Sequence, residues 1–377
     1  MTKALRIHAG PRAREHLEKH GLQPSDVGVV PGAAGGPKGL ILGPLDRFIF
    51  GEWLPRSQQP VHLVGASIGA WRMATACLGG SVAAFERLEH DYIHQDYELP
   101  PGKKRPTAAH VSERFGQNLQ AFYGGRVEEV LGHPRFRLHI VTSRGRHLLR
   151  REHGVATPLG YLGAFLTNTV RRKAMGAWLE RVVFSSPGTA LPFGTSDYRT
   201  RQVPLSAGNF MQALQASCSI PFVLQAVHDI PGAPPGAYWD GGITDYHLHL
   251  AYSNSNLIAA SASQTSAGGQ KDLEPGGIVL YPHFQHRVVP GWLDKGLKWR
   301  HRATSALDGM VVLSPDPDWV RSLPNAKLPD RNDFTHYGTD GAARAKAWLA
   351  ATRASQQLAD EWAAWLLRPD MRAVQPL

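Results

Sequence analysis

Ser67 lies at the centre of a Gly-x-Ser-x-Gly segment that runs from Gly65 to Gly69. This spacing is typical of a sharp strand-to-helix turn, in which small residues two positions before and after the serine let the backbone fold tightly. The backbone N–H of Ile68 would then point to where a carbonyl oxygen becomes negative, next to the positive end of a helix dipole. The segment therefore predicts that Ser67 is a nucleophile.

A glycine-rich segment, residues 31–39, precedes this serine. A phosphate-binding P-loop would need a glycine where Pro37 stands, and Ser or Thr after the lysine, where Gly39 stands. The N–H groups of Gly35 and Gly36 could instead stabilise an alkoxide, with Lys38 orienting the loop or adding charge. The segment predicts an oxyanion hole, and a plain tight turn is the alternative.

A candidate base follows far along the chain, at Asp240-Gly241-Gly242. The apolar run before it predicts a strand, so the carboxylate would stand at a strand end. The two glycines would let the backbone turn and aim that carboxylate at a neighbouring loop. Asp240 is therefore predicted to take the proton of Ser67.

Two short apolar runs, residues 26–31 and 61–64, predict buried strands before the glycine loop and before the serine. Helical patterns follow each of them, over residues 40–53 and 68–86. Right-handed crossovers would make the two strands parallel neighbours. Their carboxyl ends would then share one edge of a sheet, where open α/β sheets bind ligands.

The rest of the chain predicts further alternation of strands and helices, after a polar, basic N-terminal stretch, residues 1–25. The predicted strands cover residues 136–142, 181–185, 237–240, 277–281 and 310–313. The predicted helices cover residues 12–19, 160–179, 211–217 and 341–367. We find no internal repeat and no linker, which favours a single domain over residues 1–377.

Taken in order, these motifs resemble the patatin-like phospholipase family. That family combines a Gly-Gly-x-[Lys/Arg]-Gly loop, a Gly-x-Ser-x-Gly elbow and an Asp-Gly-[Gly/Ala] aspartate, and the small-residue segment at 216–222 is similar to a further family feature. The resemblance covers residues 26–250. It implies a three-layer α/β/α sandwich with a mostly parallel central sheet, and hydrolysis of lipid acyl esters by a Ser–Asp dyad.

This chain departs from the family pattern at several positions. Pro37 removes one N–H from the oxyanion loop, and the residues after Gly242 lack the Asn-Pro that often follows the aspartate. Residues 255–377 are not explained by the resemblance, and we expect them to pack on the motif-bearing part. The resemblance implies a phospholipase A, a lysophospholipase or a lipid esterase, with a lipid or another acyl ester as substrate and no cofactor.

Composition gives only broad limits on function. The chain has 377 residues, a net charge of +10 and two cysteines, Cys77 and Cys218. So few thiols give no disulfide framework, which suits a reducing compartment. No stretch has the length and apolar character of a signal peptide or a membrane span. We therefore expect a cytoplasmic protein whose membrane contact, if it has any, is peripheral. Oligomeric state is left open.

Two other kinds of site compete with the dyad. A Ser-Asp-His triad could use Ser67 and Asp240 with one of four histidines, His247, His249, His283 or His286. Asp245, His247 and His249, or His283 with His286, could instead ligate a metal ion. Because a chain with 18 histidines contains such pairs by chance, we expect no metal site.

A segment rich in tryptophan and basic residues, residues 292–302, offers a non-enzymatic alternative. Such a segment could bind anionic lipid headgroups or nucleic acid. We favour a solvated basic face with buried tryptophans. Peripheral contact with an anionic membrane is left open, no nucleic-acid binding is expected, and a catalytically silent protein that binds an anionic surface is the corresponding alternative function.

Overall fold

The computed structural model describes residues 2–97, 106–252 and 277–377. Its strands are β1 (Leu5–Ala9), β2 (Val27–Gly32), β3 (Val61–Ala66), β4 (Phe136–Gly145), β5 (Leu179–Ser185), β6 (Thr200–Pro204), β7 (Val227–His228), β8 (Ala237–Asp240), β9 (Ile278–Pro282), β10 (Met310–Pro315) and β11 (Val374–Pro376). They form one sheet in the order β11-β1-β10-β9-β2-β3-β4-β5-β6, with β8 pairing with β4 and β7 with β8.

The helices are α1 (Pro11–His20), α2 (Gly43–Phe48), α3 (Ile68–Ala76), α4 (Ser81–Ile93), α5 (Ala108–Tyr123), α6 (Val127–Leu131), α7 (Ala156–Val170), α8 (Phe210–Cys218), α9 (Gly242–Asp245), α10 (Pro317–Ser322), α11 (Asn332–Tyr337), α12 (Gly341–Ala354) and α13 (Gln356–Leu367). Short 3-10 and π turns join several of them. Among the described residues, no helix combines the length and the apolar character that crossing a bilayer requires.

Five adjacent strands at the centre of the sheet, β10, β9, β2, β3 and β4, run parallel. Parallel strands are covered on both faces, which is why their sequences are nearly continuous apolar runs. Val30, Leu63 and Ile140 from three of these strands are fully buried in the main core. The strands next to this group, β1 and β5, pair antiparallel with it. The fold is thus a three-layer α/β/α sandwich, as predicted.

The C-terminal residues complete this sheet instead of only packing on it. β9 pairs with β2, and β10 lies between β9 and β1. The motif-bearing part therefore shares one sheet with both ends of the chain, and we propose a single-domain organisation on that basis. The first part of the predicted C-terminal region, residues 255–276, lies outside the described residues.

Three of the predicted helices have different bounds in the structure. The helix predicted over 68–86 is two helices: α3 ends at Ala76, and Gly80, with a φ of 68°, lies in the turn directly before α4. The helix predicted over 160–179 ends at Val170, and Leu179 already belongs to β5. The helix predicted over 341–367 is interrupted at Ser355, whose hydroxyl donates to the Thr352 carbonyl.

Two segments were predicted incompletely. The strand β1 lies in the N-terminal stretch that was described as polar and basic, because its apolar residues alternate with basic ones in only five positions. The segment 40–53, predicted as helical, consists of a 3-10 turn, the short helix α2 and a π turn. The predicted strands are present in the structure within a few residues of their bounds.

Candidate active site

The turn at Ser67 is tight and strained. Ser67 directly follows β3 and adopts φ 57° and ψ −131°, a conformation that residues other than glycine avoid. A side chain at Gly69 would overlap the carbonyl oxygen of Gly32 at the end of β2, and one at Gly65 would overlap the backbone of Ala70. Both flanking glycines are therefore required by close backbone contacts, as the spacing predicts.

Strand β4 brings the serine and the aspartate together. Ala66, the last residue of β3, pairs with Val141 of β4. The next residue of β4, Thr142, pairs with Asp240 at the end of β8. Ala66, which directly precedes Ser67, and Asp240 thus pair with consecutive residues of β4. This brings Ser67 and Asp240 together although they lie far apart in the sequence.

The side chain of Ser67 lies close enough to the carboxylate of Asp240 to lower its pKa as a hydrogen-bond donor. Both residues are nearly buried, at 4% and 6% exposure. Burial raises the pKa of Asp240 above its ordinary value, whereas the Ser67 hydrogen bond, the positive charges of Arg331 and Lys295 and the N–H of Gly242 oppose that rise. The Gly242 N–H lies 2.7 Å from Asp240 Oδ1. The arrangement places a hydroxyl beside a buried carboxylate in one pocket.

Ser217 holds the backbone of Ser67. Its hydroxyl accepts a 3.0 Å hydrogen bond from the N–H of Ser67 and donates a 2.7 Å hydrogen bond to the Val141 carbonyl of β4. The Ser217 carbonyl in turn accepts from the N–H of Gly241. The sequence marks the segment 216–222 only through the family resemblance, and no role was predicted for Ser217. No local motif marks the residue, because its partners come from three distant segments.

The glycine loop lies at the same edge of the sheet. The N–H of Ala34 donates to the Tyr246 carbonyl at 3.0 Å, which ties the loop to the segment after Asp240. Gly35 borders the pocket that contains Ser67. It also lies against the ring of Phe284, with no room for a side chain.

The other predicted oxyanion residues occupy different places. Gly36 adopts a φ of 57° and lies beside the Arg331 guanidinium, outside the pocket lining. Ile68 is the first residue of α3, so its N–H has no acceptor inside the helix. Its side chain is buried against Gly39. Lys38 borders the pocket beside Gly35.

The pocket around Ser67 has a volume of about 200 Å³. Its lining comprises Ala34, Gly35, Lys38, Ser67, Ile220, Pro221, Asp240, Gly242, Ile243, Tyr246, Trp292, Lys295, Asp330, Arg331 and Asn332. Pockets that enclose whole small molecules are larger, roughly 300–1,000 Å³. This one has room for an ester group and its neighbours, so most of a lipid would extend beyond it.

Three cationic side chains border the pocket. The ammonium of Lys38 lies 5.4 Å from the ring centroid of Phe284, and that of Lys295 lies 4.1 Å from the ring centroid of Tyr246. Burial lowers the pKa of both lysines, and that of Lys295 falls to about 8, with a further contribution from the charges of Lys38 and Arg331. Lys38 and the segment of Lys295 were predicted from the sequence, whereas Arg331 was not, because no motif marks it.

The histidines considered for a triad have other partners. Within the described part of the chain, none of the four borders the pocket. His247 Nδ1 is bonded to the backbone of Arg287 and Val289, and the two ring nitrogens of His249 contact the Val288 carbonyl and Thr304. His283 Nδ1 contacts the backbone of Gln285, and the ring of His286 stacks on His8.

Asp245, considered as a metal ligand, forms buried ion pairs. Its carboxylate accepts two hydrogen bonds from the Arg181 guanidinium, at 2.6 and 2.7 Å, and lies 3.3 Å from Arg172. Arg172 and Arg300 also pair with Asp294, which is fully buried. Over residues 2–97, 106–252 and 277–377, no group of three or more histidine, cysteine or acidic residues could hold a metal ion.

Comparison with known proteins identifies a family. A family model described as Patatin-like phospholipase matches residues 34–250, more than half of the chain. The matched range contains Gly35, Lys38, Ser67 and Asp240, whereas the pocket residues Lys295 and Arg331 lie outside it. A search of curated proteins finds no match.

Proposed function

The chain belongs to the patatin-like phospholipase family, and from this premise we propose that it is a serine acyl hydrolase that cleaves lipid acyl esters through Ser67 and Asp240. Membership indicates a lipid acyl hydrolase. The proposal adds the dyad, the acyl-enzyme route and a carboxylic ester as the bond cleaved, as in a phospholipase A, a lysophospholipase or a lipid esterase. It rests mainly on the pocket that Ser67 and Asp240 share, in which the Ser67 side chain lies close enough to the Asp240 carboxylate to lower its pKa.

In the proposed reaction, Ser67 Oγ attacks the ester carbonyl carbon while Asp240 takes the hydroxyl proton. The backbone N–H groups of Ile68 and of Gly35, which borders the pocket, stabilise the oxyanion. Asp240 returns its proton to the leaving alkoxide, and an acyl-enzyme is left. Water then attacks this ester with Asp240 again as base, which releases the fatty acid and restores Ser67. A carboxylate whose pKa is raised is a better base for a hydroxyl than an ordinary aspartate.

A Ser-Asp-His triad has less support. Its histidine would need to contact the carboxylate and the serine, and the four candidates are held by other groups. A catalytically silent binding protein also has less support, because binding alone does not explain a strained serine beside a buried carboxylate. The strain at such a position costs about 1–3 kcal/mol.

We also propose peripheral contact with an anionic membrane, through a surface other than the one the sequence indicated. Helix α7 carries no charged residue, and its outward positions Leu159, Leu162, Phe165 and Leu166, here named the apolar face of α7, are exposed. Leu162 and Leu166 remain 53% and 56% accessible. Exposed apolar patches of this kind mark interaction sites.

The surroundings of this face favour a lipid surface over another occupant. Phe222, 63% exposed, packs against Tyr161 of α7 and follows Ile220 and Pro221 of the pocket lining, so the face is continuous with the pocket. Exposed arginines, Arg150 and Arg171, stand before and after the helix. An apolar helix face with flanking basic residues suits the boundary between acyl chains and anionic headgroups. We also propose a cytoplasmic location. Both cysteines are free thiols, which suits a reducing compartment.

Labelling with a fluorophosphonate probe tests the catalytic proposal. The wild-type protein is expected to be labelled, and Ser67→Ala is expected to remain unlabelled at equal thermal stability. Ser219→Ala is the matched control, because Ser219 is also a buried serine near the site but its hydroxyl donates to the Gln215 carbonyl. Asp240→Asn is expected to lose about 10²–10⁴-fold in kcat on a soluble ester. An unlabelled wild type would contradict the proposal.

A further inference from the structure

The charges around the pocket are unbalanced. Its lining has three cations, Lys38, Lys295 and Arg331, and two acids, Asp240 and Asp330. Asp330 already forms a 2.8 Å ion pair with Lys327, which lies outside the lining. Among the described residues, none of the three cations forms an ion pair. Positive charge is therefore in excess next to the nucleophile.

This excess of positive charge makes Asp240 a weaker base. The charges of Arg331 and Lys295 lower the pKa that burial raises at Asp240, so they weaken the proton acceptor. The three cations also repel one another, since Lys38 and Arg331 both disfavour the charged form of Lys295. Lys295 and Arg331 are exposed at the pocket, so an anionic group can reach these cations from solvent.

An anionic group in the pocket would relieve both effects. It would offset the repulsion among the three cations and accept charge-assisted hydrogen bonds from two ammonium groups and one guanidinium. Because the pocket is only about 200 Å³, such a group would lie close to the ester carbonyl that Ser67 attacks. Tyr246 and Trp292, over which the Lys295 ammonium lies, would restrict the position of that ammonium.

We infer that Lys295 and Arg331, together with Lys38, form an anion subsite beside the nucleophile, so that the preferred substrates carry a phosphate or a comparable anionic group near the scissile ester. The inference rests on the proposed function and assigns a task to the C-terminal residues outside the family match. A neutral acylglycerol would leave the three cations without an anion.

Soluble short-chain substrates test this selectivity. The ratio of kcat/KM for dibutyryl glycerophosphate to that for tributyrin, both below their aggregation limits, is expected to be well above one for the wild type. It is expected to fall about tenfold or more in Lys295→Gln and in Arg331→Gln, because each removes one charge-assisted contact. Lys298→Gln is the matched control, since Lys298 is an exposed lysine of the same segment that does not border the pocket. It should leave the ratio unchanged.

A binding measurement separates this inference from the proposed hydrolysis. Calorimetry on Ser67→Ala with inorganic phosphate, dibutyryl glycerophosphate and tributyrin needs no turnover. Binding of both anionic probes would support a subsite for free phosphate as well as for headgroups, whereas binding of the glycerophosphate alone would restrict it to lipids. Equal affinity for the glycerophosphate and for tributyrin would overturn the inference, even if the wild type hydrolyses esters.

Discussion

The N–H of Ser67 donates a 3.0 Å hydrogen bond to the hydroxyl of Ser217, which itself donates to β4. The strained backbone of the nucleophile is therefore held from outside its own turn. Ser217 contacts neither the pocket nor the Asp240 carboxylate, so we regard it as a positioning residue. Its contribution should appear in kcat more than in KM.

Ser217→Ala tests this positioning. Loss of the hydroxyl leaves the buried N–H of Ser67 without its acceptor, which costs about 1–3 kcal/mol of unfolding free energy. We expect a roughly tenfold loss of kcat at nearly constant KM, because a misplaced nucleophile loses orientation. Ser219→Ala, which removes a neighbouring buried hydroxyl, is the control for stability. An equal loss of kcat in both variants would assign Ser217 a merely structural role.

The pH dependence of hydrolysis should report the Asp240 carboxylate. A base acts only when deprotonated, so kcat/KM on a neutral soluble ester should fall as pH falls through the raised pKa of Asp240. Arg331→Gln removes a positive charge that lowers this pKa. The acidic limb of the profile should therefore move to higher pH in that variant. A limb that is identical in wild type and variant would show that another group controls it.

Membrane contact through the apolar face of α7 can be measured by vesicle sedimentation. Leu162→Glu and Leu166→Glu each replace a leucine that is about half exposed, so its insertion contributes about half of the roughly 1.5–3 kcal/mol gained by complete burial of a leucine. We expect each variant to bind vesicles rich in phosphatidylglycerol at least tenfold more weakly than the wild type does. Leu367→Glu, which changes an 82% exposed leucine at the end of α13, is the control. Unchanged vesicle binding, or a dimer that these variants dissociate, would argue for another use of the face.

The ion pairs of Asp245 should stabilise the segment after Asp240. Asp245→Asn leaves the fully buried Arg181 without its main partner, and breaking such a pair costs about 3–5 kcal/mol. Urea denaturation would measure the loss. Asp91→Asn, at an exposed pair with Arg87, should cost less than about 1 kcal/mol. Similar losses in the two variants would mean that Asp245 is not important for stability.

The sequence predicts the parts of the site that depend on local geometry. The elbow at Ser67, the glycine loop and the turn at Asp240 can each be identified because tight turns restrict the residues that form them. The parallel pairing of β2 with β3 follows from the right-handed crossover between them, and the structure agrees.

Other features depend on contacts between distant segments and leave no local pattern. Ser217 and Arg331 belong to ordinary stretches of sequence, and only the folded chain brings them to the serine. The bounds of the helix predicted over 68–86 were wrong for a related reason, since a helical pattern can include Gly80, which in the structure lies in the turn between α3 and α4. The exposure of Leu162 could not be predicted from the sequence either, because hydrophobic periodicity does not show whether an apolar helix face is covered by another element.

The position of β9 beside β2 has a consequence for synthesis. The last motif residue, Gly242, leaves the ribosome before β9 does, so one edge of β2 is uncovered while the chain is still growing. Uncovered strand edges pair with other chains, and incomplete folds of this kind aggregate. A product truncated after the motifs would have all the catalytic groups but would require a chaperone to remain dispersed.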